Sequence, residues 1–206
     1  MRKMLLLAGL VLFMGGVAQA QDQGYSKVEI SGDYSYMRTN VSVTTQSTGS
    51  GIPTSTHSLS SNLNGWSATG AYNVNHWFGL VADLGGEYGS TSIMVSGVKF
   101  NFQTHLFDAV FGPQVNFRNS TKVTPFVHTL LGVSHGSFTI SSMGFGSKNK
   151  TDNAFAGAFG GGLDWSVGEH WSIRLIEADY FPTFFNSGTQ NNARISAGIV
   201  YRSGDH

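Results

Sequence analysis

Apolar and polar side chains alternate one by one along much of this chain. In the segment ARISAGIVYR (193–202), one face carries Ala193, Ile195, Ala197, Ile199 and Tyr201. Arg194 and Arg202 lie on the other face. A period of two is that of a β-strand, because successive side chains of a strand point to opposite sides of the sheet. The pattern therefore predicts a strand.

Eight alternating segments follow residue 25, and no amphipathic helix is evident between them. They cover 27–38, about 63–74, 78–89, about 100–118, about 124–139, 154–165, 171–181 and 193–202. The fifth is less regular, since Phe126 and Leu130 fall on its polar side. In the seventh, Arg174 has an even number and Glu177 and Asp179 have odd numbers, so this parity places them on opposite faces of the strand. That break indicates either a β-bulge or a charge at the rim.

The links between the segments alternate in length. Three are tight, at 75–76, 119–123 and 168–170, whereas polar stretches at about 40–61, 91–98, 140–152 and 186–192 are longer. An up-and-down meander places short turns at one end and long loops at the other, as in outer-membrane barrels with short periplasmic turns and longer extracellular loops. We therefore expect an all-β fold, an eight-stranded antiparallel up-and-down transmembrane β-barrel.

Composition indicates which face of the strands meets water. Charged residues make up 12% of the chain, against about 25% in ordinary soluble domains. The polar faces consist mostly of Ser, Thr, Asn and Gly, which fits poorly with the surface of a soluble barrel, roughly 25–35% charged. The apolar faces are unbroken by charge and are expected to face lipid, so the polar faces would line the lumen.

Aromatic residues give an independent indication, because Trp and Tyr favour the membrane interface. Those near the short turns are Trp77, Phe117, Trp165, Trp171 and Tyr201. Those near the long loops are Tyr36, Tyr88 and Phe181. The two groups predict two aromatic belts.

The lumen is expected to hold a network of ion pairs. Its predicted members are Glu29, Asp33, Asp83, Glu87, Asp108, Arg118, Asp164 and Arg194. Closure of the barrel would bring the last strand beside the first, so we expect Arg194 to pair with Glu29 or Asp33. The interior of eight strands is only just wide enough for side chains. Gly160, Gly161 and Gly162 would therefore leave room for Arg or Tyr side chains from neighbouring strands.

The first 20 residues have the features of a secretory signal peptide. Arg2 and Lys3 precede an apolar run from Leu5 to Val17, and the small-residue cleavage pattern Ala18-Gln19-Ala20 follows. We expect cleavage before Gln21, so that residues 21–206 form the barrel domain. The chain contains no cysteine, which excludes disulfides and an acylated N-terminal cysteine.

Three motifs, together with the strand rhythm, carry a family resemblance: GGGLDW (160–165), IRLIEADYFPT (173–183) and ISAGIVYR (195–202). Most of residues 21–202 resembles the small bacterial outer-membrane β-barrel proteins and is similar to the OmpA transmembrane domain. The resemblance implies an outer-membrane location, contact with outer-membrane lipids and lipopolysaccharide, and assembly by the barrel-insertion machinery. Only SGDH follows the last strand, so no peptidoglycan-binding domain is expected, and the usual terminal aromatic is displaced to Tyr201.

Three functions remain open at this point: a structural or surface-interaction barrel, a secreted soluble lipocalin-like carrier, and a lipid A acyl hydrolase. The hydrolase would use His135 and Ser137, which resemble the His-x-Ser pair of lipid A deacylases, although Phe138 stands where an Asn commonly follows. The other histidines show no metal-ligand spacing. A net charge of zero gives no basic field for nucleic acid. We expect a monomeric, non-enzymatic surface-interaction barrel with a largely occluded polar lumen and no cofactor or metal.

Overall fold

The computed structural model describes residues 25–45, 55–95, 98–142, 146–185 and 188–205. The strands are Ser26–Thr45 (β1), Ser55–Asn73 (β2), Phe78–Val95 (β3), Val98–Asn116 (β4), Val123–Ser142 (β5), Gly146–Ser166 (β6), Trp171–Phe185 (β7) and Gly188–Asp205 (β8). Within these ranges no helix is long and apolar enough to cross a membrane.

The eight strands form one closed antiparallel barrel in sequence order. Each strand pairs with the next, and β8 returns to pair with β1, where Tyr201 lies opposite Ile30. Closure pairs the backbone N–H and C=O groups of every strand on both sides, which a sheet in hydrocarbon requires. The predicted eight-stranded up-and-down barrel is confirmed.

The strands reach further toward the long connections than the alternation predicted. β3 and β4 pair as far as Val95 and Val98, and β5 and β6 pair as far as Ser142 and Gly146. Most residues of the loops predicted at 91–98, 140–152 and 186–192 therefore belong to strands. Their Ser, Thr and Asn side chains are compatible with hairpins that project beyond the membrane. The predicted signal peptide and residues 46–54 of the first long link lie outside the described residues.

Apolar side chains cover the outer surface of the barrel. Phe111 and Ile199 are 66% and 57% exposed, and Phe107 and Phe159 are also exposed. A soluble carrier would bury these side chains in its core, whereas a transmembrane barrel turns them toward lipid. The orientation of the strand faces is that of a membrane barrel.

A β-bulge resolves the parity break in β7. The register of β7 shifts between Arg174 and Glu177 against both neighbouring strands. Leu175 and Ile176, the two residues in between, are both exposed on the outside. The extra residue turns both Arg174 and Glu177 into the lumen, so the bulge is the correct one of the two alternatives.

Exposed aromatic rings lie near both ends of the strands. Trp77, Trp165, Trp171 and Tyr201 are exposed near the short turns, with Trp171 and Tyr201 in edge contact at a centroid distance of 5.1 Å. At the other end, the Tyr34 and Tyr180 hydroxyls donate to Asn64 and Asn191. These hydrogen bonds give the hydroxyls a polar partner at the membrane boundary.

The prediction for Phe181 was wrong. Its ring is buried inside the barrel, because Phe181 shares the inward parity of Asp179. Of the two other residues predicted for the aromatic belt near the long loops, Tyr88 is exposed and Tyr36 is half-buried. Tyr88 therefore agrees better with a position in that belt.

A charge on the outer surface should be costly at the bilayer midplane and tolerated at its edge. We expect Phe111→Arg to lower the free energy of unfolding in lipid vesicles by about 2–4 kcal/mol, and Asn62→Arg, near the extracellular end of β2, to lower it by about 0–1 kcal/mol. Urea titration followed by the heat-dependent gel shift measures both. Equal effects would mean that Phe111 does not face hydrocarbon.

The charged lumen as candidate functional site

The predicted lumen residues all point into the barrel. The carboxylates of Glu29, Asp33, Asp83, Glu87, Asp108 and Asp164 and the guanidinium of Arg194 are buried. Arg118 is 13% exposed and lies at the periplasmic end. The lumen also contains charged and titratable residues beyond the eight predicted there: His128, Arg174, Glu177, Asp179 and Arg202.

The periplasmic mouth is a polar cavity of about 210 Å³, formed in part by Glu29, Arg118 and Arg202. Arg118 Nη2 donates to Glu29 Oε1 at 2.5 Å, and Asn73 Nδ2 donates to the same oxygen at 2.8 Å. Arg202 lies opposite Glu29 in the β1–β8 register, with its Nε 3.7 Å from Glu29 Oε2. These contacts connect β1 and β8 with the turn after β4.

Arg174 organises the next level of the lumen, which we call the Arg174 cluster. Its Nε donates to Asp164 Oδ1 at 3.0 Å and its Nη1 donates to Glu177 Oε2 at 2.7 Å. Asp33 Oδ2 lies 3.7 Å from Nη1. The guanidinium also lies over the Phe126 ring, 4.7 Å from its centroid, which is within the range of a cation–π contact.

Arg194 organises the level above, the Arg194 cluster, and is fully buried. Its Nη2 donates to Asp179 Oδ2 at 2.9 Å and also to Asp83. Its Nη1 lies 3.4 Å from Asp108 Oδ2. One planar guanidinium thus contacts carboxylates from three different strands, a role that suits its five N–H donors in a fixed plane.

The Arg194 partners differ from those predicted. Arg194 lies opposite Met37 on β1, whereas Asp33 lies opposite Gly198. Four residues of strand separate the two levels by about 13 Å. Asp33 pairs with Arg174, and Glu29 pairs with Arg118 and Arg202. The prediction that Arg194 pairs with Glu29 or Asp33 was therefore wrong.

His128, Glu177 and Asp179 offer ligand atoms that lie within 4.8 Å of one another. The arrangement resembles the side-chain set of a metal site, but its atoms already have partners. His128 Nε2 is 2.8 Å from Asp179 Oδ1, Asp179 Oδ2 accepts from Arg194, and Glu177 Oε2 accepts from Arg174. The two guanidiniums supply the positive charge that a cation would otherwise bring.

Glycines face three of the lumen aspartates. Across the strand pairs, the facing residues are Asp33 and Gly198, Asp108 and Gly85, and Asp179 and Gly160. A Cβ atom on any of the three glycines would collide with the facing carboxylate. Gly162 leaves space in the same way for the Phe126 ring. Gly160 and Gly162 do leave space in the lumen, as predicted. The side chains that occupy this space are Asp179 and Phe126, and not Arg or Tyr.

Buried apolar side chains cluster in the lumen above the Arg194 cluster, and we call them the upper apolar cluster. Its large members are Met37, Leu63, Leu106, Leu130, Phe181 and Phe185, with Phe138 packed against them. Ala154, Ala156 and Ala158 of β6 face it with small side chains. Phe181 joins this cluster to the charges below, since Arg194 lies over its ring at 4.9 Å.

The sequence held a signal for most of what was missed. Met37, Leu106 and Phe181 share the parity of the lumen acids on their own strands, so strict use of parity would have placed them inside. Arg202 has the parity of Arg194. Arg174 could be assigned only with knowledge of the bulge, because its parity opposes that of Glu177.

His135 and Ser137 lie outside the lumen, on the outer face of β5. His135 Nδ1 is 2.6 Å from Asn153 Oδ1. The Ser137 hydroxyl donates to Asn149 Oδ1 at 3.2 Å. The serine hydrogen is thus directed to Asn149, away from the histidine that would have to act as its base.

Charge at the extracellular end of the barrel is unbalanced. The extracellular parts of the strands carry four basic residues, Arg38, Lys99, Lys148 and Lys150. Among the described residues, the one acidic residue in these parts is Asp152. The side chains of Arg38 and Lys150 are exposed. Neither forms an ion pair within the described part of the chain. We call Arg38 and Lys150 the extracellular cations.

Comparison with known proteins agrees with this geometry. Residues 7–202 match the family profile described as the outer membrane protein beta-barrel domain. Among solved structures, the chain is similar to Ail of Yersinia pestis, crystallised with the heparin analogue sucrose octasulfate, at 20% identity and a TM-score of 0.54, covering 84% of this chain and 99% of Ail. It is also similar to neisserial surface protein A, at 14% identity and a TM-score of 0.51, covering 87% of this chain and 99% of that one. Curated protein sequences give no match.

Loss of the central guanidinium should destabilise the barrel strongly. Arg194→Met retains much of the side-chain volume but leaves Asp83 and Asp179 buried without their cation, so we expect the free energy of unfolding to fall by about 3–5 kcal/mol. Urea unfolding in lipid vesicles measures the change. Arg38→Met, which removes an exposed cation from the outer face, serves as the control and should have little effect. Similar stabilities of the two variants would show that the Arg194 cluster contributes nothing.

Proposed function

The chain belongs to the outer membrane protein β-barrel domain family, and we propose that it acts there as an occluded, non-catalytic barrel that interacts with partners at the cell surface. The family places the protein in the bacterial outer membrane. Its two solved relatives above share the fold. The proposal depends chiefly on one observation, the buried upper apolar cluster above two ion-paired levels.

Three successive layers oppose the passage of solutes. The polar cavity at the periplasmic mouth is followed by the Arg174 cluster, since Arg202 lines the cavity and its Nη2 lies 3.6 Å from Asp164, which also pairs with Arg174. The Arg194 cluster follows, and the upper apolar cluster has side chains such as Leu63 and Leu130 that are fully buried. Eight strands leave little space once such side chains are placed. A continuous water path would require the ion pairs to open and the apolar cluster to separate.

The contacts of His135 and Ser137 support the absence of hydrolase activity. A serine nucleophile needs a base within hydrogen-bond reach, and the Ser137 hydroxyl donates to Asn149. Asn153, a neutral amide, holds His135 at the position where a carboxylate would stabilise an imidazolium. We propose that these residues form a polar surface at the level of the lipid headgroups.

The extracellular cations support an anionic partner. Arg38 and Lys150 present unpaired positive charge at the outer edge of the membrane, and lipopolysaccharide carries phosphate groups at that level. We propose lipopolysaccharide as this partner. Ail, a barrel of the same fold, was crystallised with a polyanionic sugar, which agrees with a role for surface cations.

The barrel should not conduct. We expect planar bilayers with the purified protein to show the same current as bilayers without protein. The double variant Phe181→Gly/Arg194→Gly removes two stacked side chains from the middle of the lumen and should admit ions. The matched variant Phe184→Gly/Arg38→Gly removes one outward-facing residue of each type and should remain silent. Current steps with the unaltered barrel would refute occlusion.

Reversal of the extracellular cations should weaken lipopolysaccharide binding. We expect Arg38→Glu/Lys150→Glu to reduce binding of the detergent-solubilised barrel at low salt by about tenfold or more, since each basic residue near an anionic surface contributes about 1 kcal/mol. The difference should shrink as salt screens the charges. Binding is measured on immobilised lipopolysaccharide over a salt series. Lys122→Glu, in the turn after β4, is the control, and an equal loss in that variant would contradict the proposed site.

A further inference from the structure

Acidic groups outnumber basic groups in the lumen. The described acids are Glu29, Asp33, Asp83, Glu87, Asp108, Asp164, Glu177 and Asp179, and the cations are Arg118, Arg174, Arg194 and Arg202. A protonated His128 would add one more positive charge. Uncompensated carboxylates are expensive in a water-poor interior. Some of these acids must therefore be neutralised by something other than an arginine.

Glu87 and Asp108 are the pair that the geometry singles out. Asp108 faces Gly85 across the β3–β4 ladder, so it is the diagonal neighbour of Glu87 on the same inward face. The two side chains are therefore neighbours in the lumen, and both are buried. Among the described residues no donor reaches Glu87 Oε2 or Asp108 Oδ1, although both atoms are buried. Two carboxyl oxygens can form a hydrogen bond only when a proton lies between them.

We propose that the folded barrel binds one proton between Glu87 and Asp108, as a buried carboxyl–carboxylate pair inside the lumen. The proton bonds to one oxygen and is donated to the other, so that the two acids together carry a single negative charge. The other side of each carboxyl group is already engaged. Ser35 donates to Glu87 Oε1 at 3.2 Å, and Arg194 Nη1 lies 3.4 Å from Asp108 Oδ2.

The surroundings favour a proton over a metal ion. Glu87 and Asp108 have no third acidic or histidine ligand within coordinating distance in the described part of the chain. Arg194 of β8 lies beside Asp108 and would repel a divalent cation. The remaining charged groups that face this level are Asp83 of β3, Glu177 and Asp179 of β7 and His128 of β5, and they pair with Arg194, with Arg174 or with one another.

The proton links the stability of the barrel to pH with a defined sign. In the unfolded chain both carboxyls are ionised above about pH 5. The folded state then holds one proton more than the unfolded state, so the ratio of folded to unfolded protein contributed by this pair falls tenfold for each pH unit of increase. The fall ends at the pH at which the folded barrel itself releases the proton.

Glu87→Gln tests the proposal, because its amide N–H can donate to Asp108 without a titrating proton. We expect the ratio of folded to unfolded protein for Glu87→Gln, relative to the unaltered barrel, to rise by about tenfold per pH unit above about pH 5. Urea unfolding in lipid vesicles over a pH series gives this ratio. The relative measurement cancels titration of the groups that the two proteins share.

Asp83→Asn is the matched control, since it removes a carboxylate of the same strand that Arg194 already neutralises. It should be less stable than the unaltered barrel, without a relative gain as pH rises. Parallel pH profiles of Glu87→Gln and the unaltered barrel would overturn the proposal. So would stabilisation by calcium or magnesium at constant pH that a chelator reverses, which would identify a metal ion in place of the proton.

Infrared spectroscopy of the folded barrel provides a second test that needs no stable variant. We expect a protonated-carboxyl C=O band at neutral pH that disappears when alkaline buffer removes the proton. Absence of that band from the folded protein at neutral pH would equally overturn the proposal.

Discussion

The need to pair every backbone polar group within hydrocarbon sets the architecture of this barrel. Lipid offers no partner to an unpaired N–H or C=O group, so the sheet has to close, and β8 pairs with β1. Closure with eight strands fixes a narrow interior. It also fixes the side-chain faces, because one parity of every strand must point to lipid and the other must point into the lumen.

The narrow interior explains the residues found there. A charged side chain inside cannot be hydrated freely, so the guanidiniums of Arg174 and Arg194 each contact several carboxylates, as Arg194 does with Asp83 and Asp179. Arginine suits this role because its planar group presents donors in several directions at once. The space for the carboxylates comes from glycine, as where Gly198 faces Asp33.

The charge and polarity of the lumen side chains change along the barrel axis. Near the periplasm Glu29 pairs with both Arg118 and Arg202, at the level of Arg194 acids exceed bases, and apolar side chains cluster in the upper part. Beyond them, the outer edge of the barrel carries Arg38 and Lys150. We propose that the interior stabilises one register of the strands and that partners bind at the extracellular end.

Side-chain direction in a strand follows parity, which is a local property, so the strands, the lipid-facing surface and the inward direction of the lumen acids could be predicted from the sequence. The pairing of the charges could not, because a pair such as Arg194 with Asp83 depends on the register of strands far apart in the chain. The bulge that turns Arg174 inward is likewise set by pairing with both neighbouring strands. Parity gives the face of a residue but not its height in the lumen, and the height selects its partner.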